Sequence, residues 1–229
     1  MSILGAIYSK IKAEPENFSH YENLYYMCLE AQKQGDRKQA ATYLKILVDR
    51  CEQGIREQDG DIVKKFHYQI KLALKAAAYD DFDCYIRYME WNREPKKRFY
   101  MPRRKVLKQV VDALQDLEDG VLELLAVSLP PGAGKTTLAI FYLTWVAGRH
   151  PEEPSLTGSH SNSFVRGVYD EVLRMVDPEG EYLWRDIFPT VGVCNTNAKE
   201  KPLACLIEIG IRKFKCFMYG FLLRRENMI

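Results

Sequence analysis

The stretch from Val121 to Gly148 limits most tightly what this chain can become. It holds an apolar run, Val121-Leu-Glu-Leu-Leu-Ala-Val-Ser-Leu129, a loop, Pro130-Pro-Gly-Ala-Gly-Lys-Thr136, and a second apolar run from Thr137 to Ala147. An apolar strand, a glycine-bearing loop closing in Gly-Lys-Thr and an apolar-faced helix are the context that a phosphate-binding P-loop needs. Gly132 and Gly134 can take positive φ and carry no Cβ, so consecutive backbone N–H groups can converge on a polyphosphate. Lys135 adds a point charge for the β and γ oxygens. The Thr136 hydroxyl is placed to ligate Mg²⁺, and the helix starting there points its positive dipole end at the anion. The stretch predicts a nucleotide-binding protein.

One position departs from the full pattern, which has a glycine five residues before Gly134. Here that position is Leu129, followed by Pro130 and Pro131, whose fixed φ angles stiffen the approach to the loop. This is a variant P-loop. The bland alternative is a turn between a buried strand and a core helix with a chance Gly-Lys-Thr.

The chain has 229 residues, 47% hydrophobic and 28% charged, which suits one sizeable core or two small ones. A net charge of +2 announces neither a nucleic-acid nor a membrane partner. The cysteines at 28, 51, 84, 194, 205 and 216 form no CxxC pair, which fits free thiols in a reducing compartment. No apolar run approaches the ~18–20 residues of a membrane span. The first ten residues lack a basic segment followed by a long apolar one. These features predict a cytoplasmic protein.

Residues 1–91 read as a helical N-terminal domain, a small bundle in preference to a repeat array. Tyr21, Leu24, Tyr25, Cys28 and Leu29, then Ala40, Tyr43, Leu44, Leu47, Val48 and Cys51, recur at helical spacing. Breaks are expected at Gly35-Asp36 and from Gly54 to Gly60. Further helices are expected around Tyr68 to Tyr79 and Phe82 to Met89. Their many tyrosines read as core before they read as a binding surface. In residues 93–108, eight of sixteen are Lys or Arg, with Phe99 and Tyr100 between them, so 92–102 is expected to be an extended basic linker. It offers phosphate contacts and, in Tyr100, an adenine clamp, or it is only a solvated linker.

Residues 103–200 read as an incomplete P-loop ATPase core. An amphipathic helix with the stripe Val106, Leu107, Val110, Val111, Leu114 and Leu117 closes at Gly120. After the loop helix, a short strand is expected at 154–158, a helix from about Ser159–Asn162 to Met175, and a short helix within 181–188. That order implies parallel strands with flanking helices, an α/β fold.

Taken in order, Phe99-Tyr-Met-Pro-Arg-Arg104, Leu129-Pro-Pro-Gly-Ala-Gly-Lys-Thr-Thr137, Ser159-His-Ser161 and Ile187-Phe-Pro189 resemble the N-terminal ATPase part of a phage terminase large subunit, over about residues 85–200. The resemblance implies an ATP- and Mg²⁺-dependent motor that packages double-stranded phage DNA in the bacterial host. It works with a terminase small subunit and a portal, and homo-oligomerises as a ring. Carried over by position, Pro131, Gly132, Ala133, Gly134, Lys135, Thr136 and Thr137 form the phosphate site, with Thr136 on Mg²⁺. Tyr100 and Arg103 lie on the adenine side. His160 and Arg166 lie near the end of the second strand, where His160 also reads as a capping residue.

Hydrolysis in that family needs a Walker B strand, apolar and ending in Asp-Glu, to hold Mg²⁺ and orient the attacking water. None is recognisable here. Glu208, after Leu203-Ala-Cys-Leu-Ile207, is the nearest substitute, and no aspartate precedes it. The tail 201–229 diverges from the family and the nuclease domain is missing, which predicts a truncated gene, with a frameshift near residue 201 as one form of it, whose product binds ATP and hydrolyses it poorly or not at all. The rival readings are a non-catalytic interaction protein with a vestigial loop and another P-loop NTPase.

Overall fold

Apolar side chains at spacings of three and four make the N-terminal unit, Met1–Tyr88, a succession of helices. The structure, a computed structural model, describes residues 3–153 and 161–192 and, as backbone only, 193–195, 208–209 and 222–224. The helices are α1 (Ile3–Ala13), α2 (Phe18–Lys33), α3 (Arg37–Glu57), α4 (Asp61–Ala77) and α5 (Phe82–Met89). α1 packs on α2, α2 on α3 and α3 on α4. Tyr21, Leu24 and Cys28 of α2, with Ala40, Leu44, Leu47, Val48 and Cys51 of α3, form the buried stripe expected from their spacing.

Phe66 of α4 is fully buried and meets Tyr21 edge-on, with ring centroids 5.1 Å apart. Its ring explains one departure from expectation. Gly54 does not break a helix; it lies inside α3, where an added Cβ would come within 2.6 Å of the Phe66 ring. A mid-helix glycine costs about 1 kcal/mol, and here the aromatic packing it admits offsets that cost. At the start of α5, the Asp81 carboxylate accepts the Cys84 N–H at 2.9 Å, an N-cap, and its other oxygen accepts Lys45 Nζ at 2.7 Å.

The second unit, Met89–Ile229, contains α6 (Arg104–Glu118), β1 (Leu124–Ala126), α7 (Lys135–Arg149), α8 (Asn162–Val176), α9 (Trp184–Ile187), β2 (Val193–Asn195), β3 (Glu208–Ile209) and β4 (Leu222–Arg224). Leu107, Val111, Leu114 and Leu117 bury the inner face of α6, while Val106 stays 67% exposed. Gly120, with φ +74°, ends α6: its N–H bonds the Leu117 carbonyl and the Val121 N–H bonds that of Asp116, a Schellman closure.

α7 is buried on nearly every side from Leu138 to Gly148 and forms the core of this unit. Trp184 donates its indole N–H to the Thr144 carbonyl at 2.9 Å, and the Phe188 ring occupies the space a Cβ on Gly148 would need, 2.4 Å away. Ser161 caps α8 by accepting the Phe164 N–H. At the far end of α7, Arg149 and His150 converge on the buried Glu118 carboxylate at 2.9 and 2.6 Å.

The expected α/β core is not what forms. The described residues are mostly helical and hold no parallel sheet. The apolar run 121–129 yields three residues of strand and none of its side chains is fully buried: Val121 is 70% exposed and Leu124 50%, while Leu122, Leu125, Val127 and Leu129 are half-buried. Parallel strands persist only where both faces are covered, and β1 has no parallel neighbour among the described residues. The ladders present are short and antiparallel, β1 with β4 and β2 with β3. The strand expected at 154–158 lies outside the described residues.

The expected extended linker is also different. Residues 95–97 and 101–103 wind into two short 3₁₀ turns, because the Glu90 carboxylate, 1% exposed, draws in the amides of Phe99 and Tyr100, and Arg98 donates to the Trp91 and Arg93 carbonyls. No helix of the described residues is long and apolar enough to cross a membrane.

Candidate phosphate-binding loop

The chain passes from β1 to α7 through residues 127–134. Ala133 donates its N–H to the Pro130 carbonyl at 3.3 Å, and Gly132 takes φ +78°. A proline followed by a left-handed glycine at the two central positions is the pattern of a type II turn. The Pro130-Pro131 pair, a departure from the full motif, therefore builds the first corner of the loop.

Gly134 is left-handed as well, at φ +96° and ψ 23°, and directly precedes α7. It is constrained twice, since a Cβ at this position would also lie 2.3 Å from a carbon of the Phe99 ring. Beside Gly132, by contrast, nothing lies within 4 Å of such a Cβ. Lys135 folds back over the loop, its ammonium donating to the carbonyl of Leu129 and, at 3.2 Å, to that of Pro130. The amides of Lys135, Thr136 and Thr137 in the first turn of α7 meet no acceptor among the described residues. They are the orphan donors every helix start presents.

These groups fit a polyphosphate. There is an open side at Gly132, a set of amides and one ammonium that among the described residues meet, respectively, no acceptor and only loop carbonyls, and the hydroxyls of the half-buried Thr136 and Thr137 at the helix start. Anion and lysine attract through charge, so a bound phosphate would compete with the two neutral carbonyls for Nζ.

The adenine-side pair is placed differently from its expected use. Tyr100 is 0% exposed, so its ring belongs to the core and has no open face for a base. Arg103 is exposed and holds to Phe99, its guanidinium 5.4 Å from the ring centroid and donating to the Phe99 carbonyl at 3.1 Å. The aromatic ring that faces the loop is Phe99. It also stacks on Phe141 of α7, with centroids 6.0 Å apart and planes 16° from parallel.

Glu90 anchors this arrangement, accepting the Phe99 N–H at 2.7 Å, the Tyr100 N–H at 2.9 Å and Arg93 at 3.2 Å. Arg93 in turn donates to the Tyr182 hydroxyl at 2.8 Å. Burial pushes the Tyr182 phenol up to about 12, against the opposing pull of the Arg93 charge. The sequence alone did not single out Glu90, and it offered Phe99 as an aromatic among basic residues and as the start of the Phe99–Arg104 motif, with no role of its own at the loop. The available signal was a lone carboxylate within Tyr88-Met89-Glu90-Trp91, since an acid in an apolar run is buried only when paired.

Of the remaining named residues, Arg166 is exposed on α8 and Glu208 lies in β3, its backbone opposite Asn195. His160 and the Glu208 side chain fall outside the described residues. Compared with family models, curated proteins and solved structures, the chain matches none.

Proposed function

We propose that the chain is an ATP·Mg²⁺-binding module of the terminase type, acting in DNA packaging on double-stranded DNA beside a small subunit and a portal. The observation supporting nucleotide binding is the loop: a Pro-Gly turn, a left-handed Gly134, Lys135 poised over the loop and amides at the head of α7 that meet no acceptor among the described residues. The reading rests on this loop and helix, and on the order of short motifs shared with that family, not on a sheet. Bound Mg²⁺ would neutralise the β and γ oxygens, with Thr136 as its protein ligand. Loop contacts give affinity, whereas water activation needs an acidic strand end that the sequence does not display, so binding outweighs turnover. Phosphate release by the purified chain tests this. Turnover far below that of working P-loop motors is expected, and a rate comparable to theirs, abolished by Lys135→Ala, would overturn it.

The half-exposed β1, with no parallel neighbour among the described residues, favours a second reading: an interaction protein in which the loop is vestigial. Such a loop would give no Mg²⁺-dependent heat on mixing with ATP.

A further inference from the structure

Phe99 touches the loop at Gly134, one of its two left-handed glycines. Gly134 must stay left-handed for α7 to begin at Lys135, and glycine populates many other regions almost as readily. The Phe99 ring lies against the Cα of Gly134, within 2.3 Å of where a Cβ would be, and stacks on Phe141 within the same helix. The ring therefore spans the last loop residue and the body of α7.

Phe99 is itself held from behind. Its amide and that of Tyr100 bind the two oxygens of the buried Glu90 carboxylate, and Arg103 covers the ring. Two charge-assisted bonds at 2.7 and 2.9 Å fix the backbone that carries the ring.

We propose that Phe99 is a positioning residue for the phosphate grip: held by Glu90, it keeps Gly134 left-handed before nucleotide arrives. This rests on reading residues 130–137 as that grip. Without the ring, Gly134 samples other conformations and the loop amides converge for a smaller fraction of the time. Apparent affinity falls by that fraction. The effect concerns phosphate contacts alone, so it acts equally on ligands with and without a base.

The test is titration calorimetry of the full chain with Mg·ATP and, separately, Mg·tripolyphosphate. Phe99→Ala should weaken both by the same factor, about tenfold if the loop is competent a tenth of the time. Phe99→Leu, which refills part of the space, should recover much of that loss, and Glu90→Gln, which keeps one acceptor oxygen, should fall between. Binding by Phe99→Ala equal to wild type, or a loss confined to ATP, would overturn the proposal, the latter pointing to base stacking. Lys135→Ala separates the underlying reading: if wild type binds neither ligand, or Lys135→Ala binds as wild type does, the grip itself is wrong and the positioning role goes with it. Should Phe99→Ala fail to fold, Phe99→Leu and Glu90→Gln decide by the same comparison of the two ligands.

Discussion

Gly134 and Gly132 share a left-handed backbone but not an environment, and substitution separates the two. At Gly134, alanine brings both a disfavoured φ, roughly 1–2 kcal/mol, and a clash with the Phe99 ring. Gly134→Ala should cost at least about tenfold in Mg·ATP affinity. Gly132→Ala, which meets open space, should cost less; equal losses would contradict the role of Phe99. Two tyrosines make stability fall at high pH. Burial raises Tyr21 and Tyr182 from 10.0 to about 12, so between those values the unfolded chain releases protons that the folded chain keeps. The folded state then binds more protons, and stability drops as pH rises through that window. Urea unfolding across it checks the sign, and a flat profile would refute it. Burial likewise pushes the Cys28 thiol up to about 12 and raises those of Cys51 and Cys84 well above the usual thiol range. Thiol labelling with peptide mapping should find these three slow in the native protein and fast in urea.

Helices were legible from spacing, strands were not. The stripes of α2, α3 and α6 appear in the sequence because a helix commits one face to a core, and the caps at Ser161 and Gly120 could be read from residue type. β1 failed because an apolar run specifies neither a neighbour nor burial, and only neighbouring strands make it a sheet. Tyr100 failed for a related reason: its type suits both core and ligand, and the deciding contact, Glu90, is a buried carboxylate whose partners are backbone amides. The backbone of the loop was legible, since Gly132 and Gly134 take the positive φ expected of them. At this scale Glu118 is the joint to test, because it accepts both Arg149 and His150 at the end of α7 while only 4% exposed as a side chain. Glu118→Ala should lower stability by on the order of 3 kcal/mol, as expected when one partner of a buried ionic pair is removed. An unchanged urea midpoint would show that α6 and α7 are joined by other contacts.

The whole molecule comprises two compact units, each with its own buried residues, and the candidate grip lies entirely in the second. Residues 1–88 expressed alone should give a helical circular-dichroism spectrum and a cooperative melt, as a unit with its own core does. A non-cooperative slope would show that the unit needs the rest of the chain. The central claim, that residues 130–137 grip a polyphosphate, is tested most directly by calorimetric titration of wild type and Lys135→Ala with ATP, each with and without Mg²⁺. The account predicts Mg²⁺-dependent heat in the wild type that Lys135→Ala abolishes or weakens by orders of magnitude. No heat in the wild type, or equal heat in both proteins, would contradict it.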